Sequence, residues 1–449
     1  MHDPASSGPV AGPGAASETS RPAPVSPEAG PQPAVEVWCT ELELSEPAGG
    51  ELEPPPLGAA VSVLVRLHHV PMGFLALRPG APTTAAAVTA TALTDLAEPV
   101  RRHLAEDGRQ AGPGEDLPSA VRLPCPRPVL NDHVSVVVAT RNRPGHIRDC
   151  LARLLELEHA SFDVIVVDNA PDTDETRDAF LDAVGGDDRF RYLRLDRPGV
   201  SRARNAGIAA ARGPLVAFVD DDVRVDPFWL QGVVRAFARV PSAVCVTGLV
   251  ATRTIAGPEQ RYFDSRVSWA ANLEPRVFHP TSDDPLHPWA AGRFGAGANM
   301  AFRLAAVRAL KGFDEDLGPG TIAMGGEDID MFVRALRAGG DLVYDPAALA
   351  WHIHRSQAGD LEKQMYGYGV GLTAFLAKHA SRPSVALEMA RRLVPGLRHV
   401  LRVTQAPQRS GLVGSAARRY RRIELTGMVL GPSYYLRSRL AGRRARAKP

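Results

Sequence analysis

From residue 131 onward, short uninterrupted apolar runs alternate with segments whose apolar residues return every three or four positions. "HVSVVVAT", "FDVIVVDNA", "FRYLRLD" and "PLVAFVDDD" read as strands, and "GHIRDCLARLLEL", "ETRDAFLDAV" and "SRARNAGIAAAR" read as the helices between them. Strands that carry no polar alternation are covered on both faces. The pattern therefore predicts an α/β domain with a mostly parallel sheet and helices on both sides, spanning about 131–360. Such sheets collect ligands at the C-terminal ends of their strands. Each strand here ends in polar sequence: Thr140, Arg141, Asn142 and Arg143 after the first, Asp168 and Asn169 after the second, Asp220, Asp221 and Asp222 after the fourth.

The flanking sequence has other patterns. Residues 1–35 are Pro, Ala, Gly and Ser with few large apolar side chains, which predicts a disordered tail. Over 36–110, "VSVLVRLHHVPMGFLALRPG" alternates like a hairpin with its turn at Pro71–Gly73, and "TALTDLAEPVRRHLAED" has helical spacing. This is a small N-terminal α+β unit, joined to the main domain by a Pro/Gly-rich linker at 111–130. Residues 361–449 read as helical and end in "ARRYRRIELTGMVLGPSYYLRSRLAGRRARAKP", basic sequence interleaved with Tyr and Leu.

Composition narrows the function classes. A chain of 449 residues with 45% hydrophobic content has ample material for a globular core. Its net charge of +2 gives no nucleic-acid-like excess of positive charge, so no nucleic-acid partner is expected. The basic C-terminal section is read either as a peripheral contact with anionic lipid at the inner face of the membrane or as a solvated tail. Cys39, Cys125, Cys150 and Cys245 are scattered with no CxxC pair and no nearby His at finger spacing, which argues against a zinc module or a disulfide scaffold. The N-terminus has no signal-peptide pattern, and no run of about 18 apolar residues occurs. The expectation is a soluble, cytoplasmic protein.

The candidate chemistry lies at the strand ends. Three adjacent carboxylates repel one another unless water, a helix terminus or a cation relieves them. Arg202 and Arg204, near the start of a predicted helix, oppose its dipole, and a bound anion would remove that conflict. Carboxylates for a divalent cation, arginines for phosphate and polar groups along one sheet edge together suit a nucleoside diphosphate.

In this order, "VSVVVATRNRP", "VIVVDNAPDTDET", "GVSRARNAGIAAARG", "LVAFVDDDV", "GAGANMAFR" and "GGEDIDMFVRALRAGG" resemble the family 2 glycosyltransferases of GT-A fold. The resemblance covers about half the chain. It implies transfer of a sugar from a nucleotide-activated donor, with inversion, to an unidentified acceptor. It further implies that Thr140, Arg141 and Asn142 line the nucleoside pocket and that Asp168 meets a pyrimidine base, hence a UDP- or dTDP-sugar. Arg202, Asn205 and Asp221 would face the nucleotide, and Asn299 the donor sugar. Asp220 would approach the ribose and the metal, and Asp222 would bind Mn²⁺ or Mg²⁺ directly, helped by His352 or His354. Asp328, after a flexible Gly pair, would be the general base, with Glu327 positioning or sharing that role.

Trp269 and Trp289 are read equally as sugar platforms or as core. Two rival functions are weighed. A nucleotidyltransferase would carry a Gly-rich, Lys-containing triphosphate loop, and "VVVATRNRPGH" has neither feature. A catalytically silent sugar-nucleotide-binding or scaffold protein is the other.

Overall fold

A computed structural model describes residues 36–46, 52–78, 81–109, 116–267, 269–354, 358–403 and 415–446. The tail predicted at 1–35 and the linker residues 111–115 lie outside that set. The strands are β1 (Val37–Glu43), β2 (Ala60–Leu67), β3 (Val70–Leu77), β4 (Val134–Thr140), β5 (Phe162–Asn169), β6 (Phe190–Leu195) and β7 (Leu215–Asp220). They continue with β8 (Val223–Val225), β9 (Ala243–Thr252), β10 (Thr254–Ile255), β11 (Arg276–Phe278), β12 (Asn299–Arg303) and β13 (Asp341–His352).

Among the described residues, nine strands form the main sheet in the order β11-β13-β9-β12-β7-β4-β5-β6, with β8 added beside β13. β6, β5, β4 and β7 are parallel, as the apolar runs predict. β12 then runs antiparallel to both β7 and β9, so the sheet is mixed. Alternate residues of β4 show why both faces are apolar. Val134, Val136 and Val138 pack with Ile147, Leu151, Trp229 and Val233 on one side. Val137 packs with Ala203, Ile208, Phe332 and Leu336 on the other. Each fully buried side chain of this kind contributes about 1.5–3 kcal/mol.

The N-terminal unit is stitched to this domain. β10, which follows β9, adds to the edge of the β1-β2-β3 sheet by pairing Val37 with Ile255 and Trp38 with Thr254. Cys39 and Leu64 share a core with Leu249, Ala251, Leu349 and Trp351. Arg66 forms a buried ion pair with Asp226. The hairpin turn lies at His68–His69, not at Pro71–Gly73, because β2 and β3 are joined by a two-residue loop closing the Leu67–Val70 pair. Both histidines have positive φ, 53° and 64°, as the twist of such a turn requires. Pro71 is taken into β3 opposite Arg66, beside an irregularity in the register.

The C-terminal section is helical as predicted. The helix Ser415–Arg446 lies along Ala358–Ala380 at small-residue contacts: a Cβ added at Gly369 would sit 2.0 Å from the Glu424 carbonyl, and one at Gly427 2.4 Å from that of Tyr366. Among the described residues no helix is long and apolar enough to cross a membrane.

Candidate active site

The acidic run leaves the sheet where β7 passes to β8, and its three carboxylates take different partners. Asp221 accepts hydrogen bonds from the Thr140 hydroxyl and the Arg143 guanidinium, both at 2.8 Å. Arg143 also reaches Asp222 at 3.3 Å. Asp220 accepts one from Arg204 at 3.0 Å while 38% of its side chain stays exposed. Burial, only partly offset by Arg204 and reinforced by Asp222 and Asp221, pushes the Asp220 carboxyl up to about 6. Burial also raises Asp221, against the pull of Arg143.

β8 pairs antiparallel with β13 so that Val223 faces His352, which brings that ring to the acidic turn. His352 Nε2 lies 3.7 Å from Asp222 Oδ1, and its Nδ1 is 3.0 Å from His354 Nδ1. His354 points away, its Nε2 meeting Thr252 at 2.9 Å and Asp264 at 3.3 Å. Trp269 stands edge-on to His352, with ring centroids 5.4 Å apart.

Arg204 joins this turn to the helix Glu327–Arg337. On the helix Val200–Ala210 the buried positions include Ala203, Arg204, Gly207 and Ile208, so helical periodicity turns Arg204 inward. One guanidinium nitrogen donates to Glu327 at 2.8 Å, and the other donates to Asp220 and to the Gly297 carbonyl at 3.4 Å. Burial, then Asp328, pushes the Glu327 carboxyl up to about 7 although Arg204 opposes both. Asp328 accepts the backbone N–H of Gly297 at 3.1 Å and that of Ile329 at 2.8 Å. A Cβ at position 297 would stand 2.7 Å from the Asp328 carboxylate, so only glycine permits this approach.

Beyond the ends of β4, β5 and β6 lies a cleft of about 370 Å³ lined by Arg141, Pro171, Asp172, Arg194 and Pro198 among others. Asp168, the last residue but one of β5, gives one carboxylate oxygen to the Tyr192 hydroxyl at 2.6 Å; its other oxygen is buried without a partner. Burial raises its pKa, and Tyr192 partly offsets this.

Residues 135–306 match the family described as glycosyl transferase family 2. This stretch carries a family 2 glycosyltransferase domain. The pre-mycofactocin glycosyltransferase of Mycobacterium tuberculosis is 28% identical over 249 residues, covering 56% of this chain and 48% of that protein. The succinoglycan biosynthesis protein ExoM of Rhizobium meliloti is 29% identical over 298 residues, 64% of this chain and 84% of that one. The chain thus spans about half the length of the first relative and most of the second. A solved mannosyltransferase from Pyrobaculum calidifontis, in complex with GDP-Man and Mn²⁺, aligns with a TM-score of 0.41 at 17% identity, over 71% of this chain and 76% of that one.

Asp220, Asp222, His352, Glu327 and Asp328 stand around Arg204 and the acidic turn, and Arg141 lines the cleft; Glu327, Asp328 and His352 follow the matched stretch. Thr140 spends its hydroxyl on Asp221, so it positions the acidic turn. Asn142, at φ 53°, exchanges two hydrogen bonds with Asp172 at the cleft wall. Arg202 bonds Glu315 and the Pro198 carbonyl.

Three expectations need correction. Asn205 does not face a nucleotide: its amide bonds both the carbonyl and the N–H of Phe313. Asn299 is buried in the sheet, accepting from Trp229 and donating both amide hydrogens to the Leu249 and Ala348 carbonyls, so it is turned into the core and not toward a donor sugar. The Gly pair before Glu327 is not a loose hinge, because a Cβ on Gly326 would lie 2.5 Å from the Gly371 carbonyl. Trp289 is core, with its indole N–H on Glu388. Arg143 and Arg204 have parts the sequence reading did not give them: Arg204 was read only as an anion binder and Arg143 only as polar strand-end sequence, whereas both bond the carboxylates of the acidic turn.

Proposed function

We propose that this protein transfers a glycosyl group from a nucleoside diphosphate sugar to an acceptor hydroxyl with inversion, assisted by Mn²⁺ or Mg²⁺. The observation that carries the reading is the Arg204 guanidinium, which bonds at once to Asp220 of the acidic turn and to Glu327 beside Asp328. On this reading the diphosphate end and the acceptor end of a displacement lie within one side chain's reach.

The nucleoside would occupy the cleft lined by Arg141. The unpartnered Asp168 oxygen would accept the N3–H of a pyrimidine, which favours a UDP- or dTDP-sugar. The donor set of Asp220, Asp222 and His352, oxygen-rich with one imidazole, fits a hard or borderline divalent cation. Such an ion neutralises charge on the departing diphosphate. Arg143 and Thr140 hold Asp221 aside, so the repulsion within the run is relieved from the protein side.

Asp328 takes the acceptor proton as the hydroxyl oxygen bonds to the anomeric carbon and the bond to the diphosphate breaks. The Gly297 N–H fixes its orientation. Glu327 anchors Arg204 and is the positioning partner. Asp328→Asn is expected to lower kcat by about 10²–10⁴ while nucleotide-sugar affinity is kept. Undiminished transfer by that variant would overturn the assignment.

The acceptor side has its own support. The helix Leu393–Val403 exposes Leu393, Val394, Leu397 and Leu401 beside Arg398, and the neighbouring C-terminal helix is rich in exposed arginine. This favours peripheral contact with anionic lipid on the cytoplasmic face of a membrane. Co-sedimentation with anionic vesicles, lost in high salt and in a Leu393→Ser/Leu397→Ser/Leu401→Ser variant, is the expected outcome. No sedimentation at low salt would refute it.

A further inference from the structure

We infer that His68, His103 and Asp107 form a binding site for one first-row transition-metal ion of the zinc type, within the N-terminal unit and apart from the glycosyltransferase crevice. Three ligand atoms converge there. His68 Nδ1 lies 3.1 Å from His103 Nε2 and 3.0 Å from Asp107 Oδ2, and the latter two are 3.3 Å apart. Atoms that share a tetrahedral zinc ion at about 2.0–2.1 Å stand roughly 3.3 Å from one another. The triangle therefore already has nearly the dimensions of a coordination face. Among the described residues it is the one group of three or more His, Cys, Asp or Glu side chains whose ligand atoms gather this closely.

The chain builds the triangle from separate pieces. His68 comes from the β2–β3 turn, while His103 and Asp107, four residues apart at the end of the helix Ala97–Glu106, share one helix face. All three side chains are closed to solvent, at 1%, 4% and 1% exposure. An enclosed site of three protein ligands suits structural binding.

The contacts of His68 and Asp107 orient those two ligands toward a cation. His68 Nε2 lies 3.0 Å from the Leu123 carbonyl, which can only accept, so Nε2 carries the proton and Nδ1 presents a lone pair to the triangle. Asp107 Oδ1 is taken by Arg127 Nε at 2.6 Å, which leaves Oδ2 facing inward. With neutral rings, His68 Nδ1 and Asp107 Oδ2 would set two lone pairs against each other at 3.0 Å. A cation between them resolves this; a second proton on His68 is the rival resolution. Arg127 Nη2 stands 3.4 Å from His103 Nδ1, which suits the metal-free ring; when Nε2 binds the ion Nδ1 carries hydrogen, and the guanidinium must give up this contact for Glu106, 3.8 Å away.

The location gives the ion a mechanical task. The backbone N–H groups of His68 and His69 both bond Glu43 at 2.9 Å, and the His69 ring stacks on Phe228 with centroids 3.4 Å apart. Phe228 follows the acidic turn by six residues. A metal on His68 thus fixes the turn by which the N-terminal unit meets the start of the helix Trp229–Arg239, which follows the acidic turn and β8.

The test uses the full chain without a polyhistidine tag, grown with zinc and passed through gel filtration. Elemental analysis is expected to find about one zinc per chain. The Asp222→Ala variant is expected to retain it, and Asp107→Asn and His103→Gln to lose it. Cobalt(II) added to the EDTA-stripped wild type and Asp222→Ala proteins should give the intense visible bands of a low-coordinate site. If the triad variants do not fold, the cobalt spectrum and zinc content of Asp222→Ala decide. No stoichiometric zinc and no cobalt bands would overturn the site, leaving the doubly protonated histidine. Zinc lost on Asp222→Ala but kept on Asp107→Asn would overturn it equally.

Discussion

Arg204 is the residue on which the site closes. It is almost wholly buried and carries the only guanidinium among the described residues that bonds both Asp220 and Glu327. Arg204→Met leaves Glu327 buried against Asp328 without its counterion, and a loss of about 3–5 kcal/mol is expected, read from urea unfolding. Adding Glu327→Gln should restore much of that stability without restoring transfer.

Glu327 also predicts a pH dependence. Its folded pKa of about 7 lies above the ordinary 4.5, so folding takes up a proton between those values. The stabilisation from this group is complete below pH 4.5 and is lost as pH rises through 7. Its slope is at most about 1.4 kcal/mol per pH unit. In Glu327→Gln, melting midpoints between pH 5 and 7 should fall less steeply than in the wild type.

At this scale the sequence was only partly legible. The carboxylates announce themselves by clustering. Asn205 and Asn299 are polar residues beside motifs, and only the folded chain shows that backbone groups from distant segments, such as Phe313, consume their amides.

At the scale of elements, the acidic helix is clamped from its C-terminal neighbour. Asp330 is fully buried, and although burial raises its pKa, His379, Lys378 and Arg334 together hold it well below the usual carboxylate range. Its contribution is present above the ordinary 3.8 and is lost only as pH falls far below that value. Asp330→Asn should therefore destabilise the protein at neutral pH by several kcal/mol and flatten its acid unfolding. Gly369→Val tests the second contact: its side chain would collide with the Glu424 carbonyl. A lower melting midpoint and faster proteolysis of the C-terminal helix are expected.

The parallel strands were readable because double burial leaves unbroken apolar runs. The antiparallel β12 and the β8–β13 pairing that brings His352 to Asp222 were not, since register between distant segments leaves no local pattern. The hairpin was visible, but proline and glycine drew its turn three residues too far along, and two histidines in a left-handed conformation carry it.

For the molecule as a whole, the N-terminal unit is not a detachable module. Its sheet accepts β10, and its core includes Leu249, Leu349 and Trp351. A chain beginning at residue 131 would expose those side chains and leave Asp226 without Arg66. It should aggregate or melt without cooperativity, as checked by scanning calorimetry. Composition separates the units as stretches of sequence, but it carries no information on how they share a sheet.

The most direct test of the glycosyltransferase account is a thermal-shift titration of the full chain with a panel of nucleoside diphosphate sugars, in Mn²⁺, Mg²⁺ or EDTA, on wild type and Asp222→Ala. A ligand at 100 times its Kd adds about 2.7 kcal/mol to the native state, enough for a clear rise in midpoint. The account predicts that rise for one uridine or thymidine diphosphate sugar, only with metal and only with Asp222 in place. No shift with any donor under any metal condition, or a shift indifferent to both metal and Asp222, would contradict it.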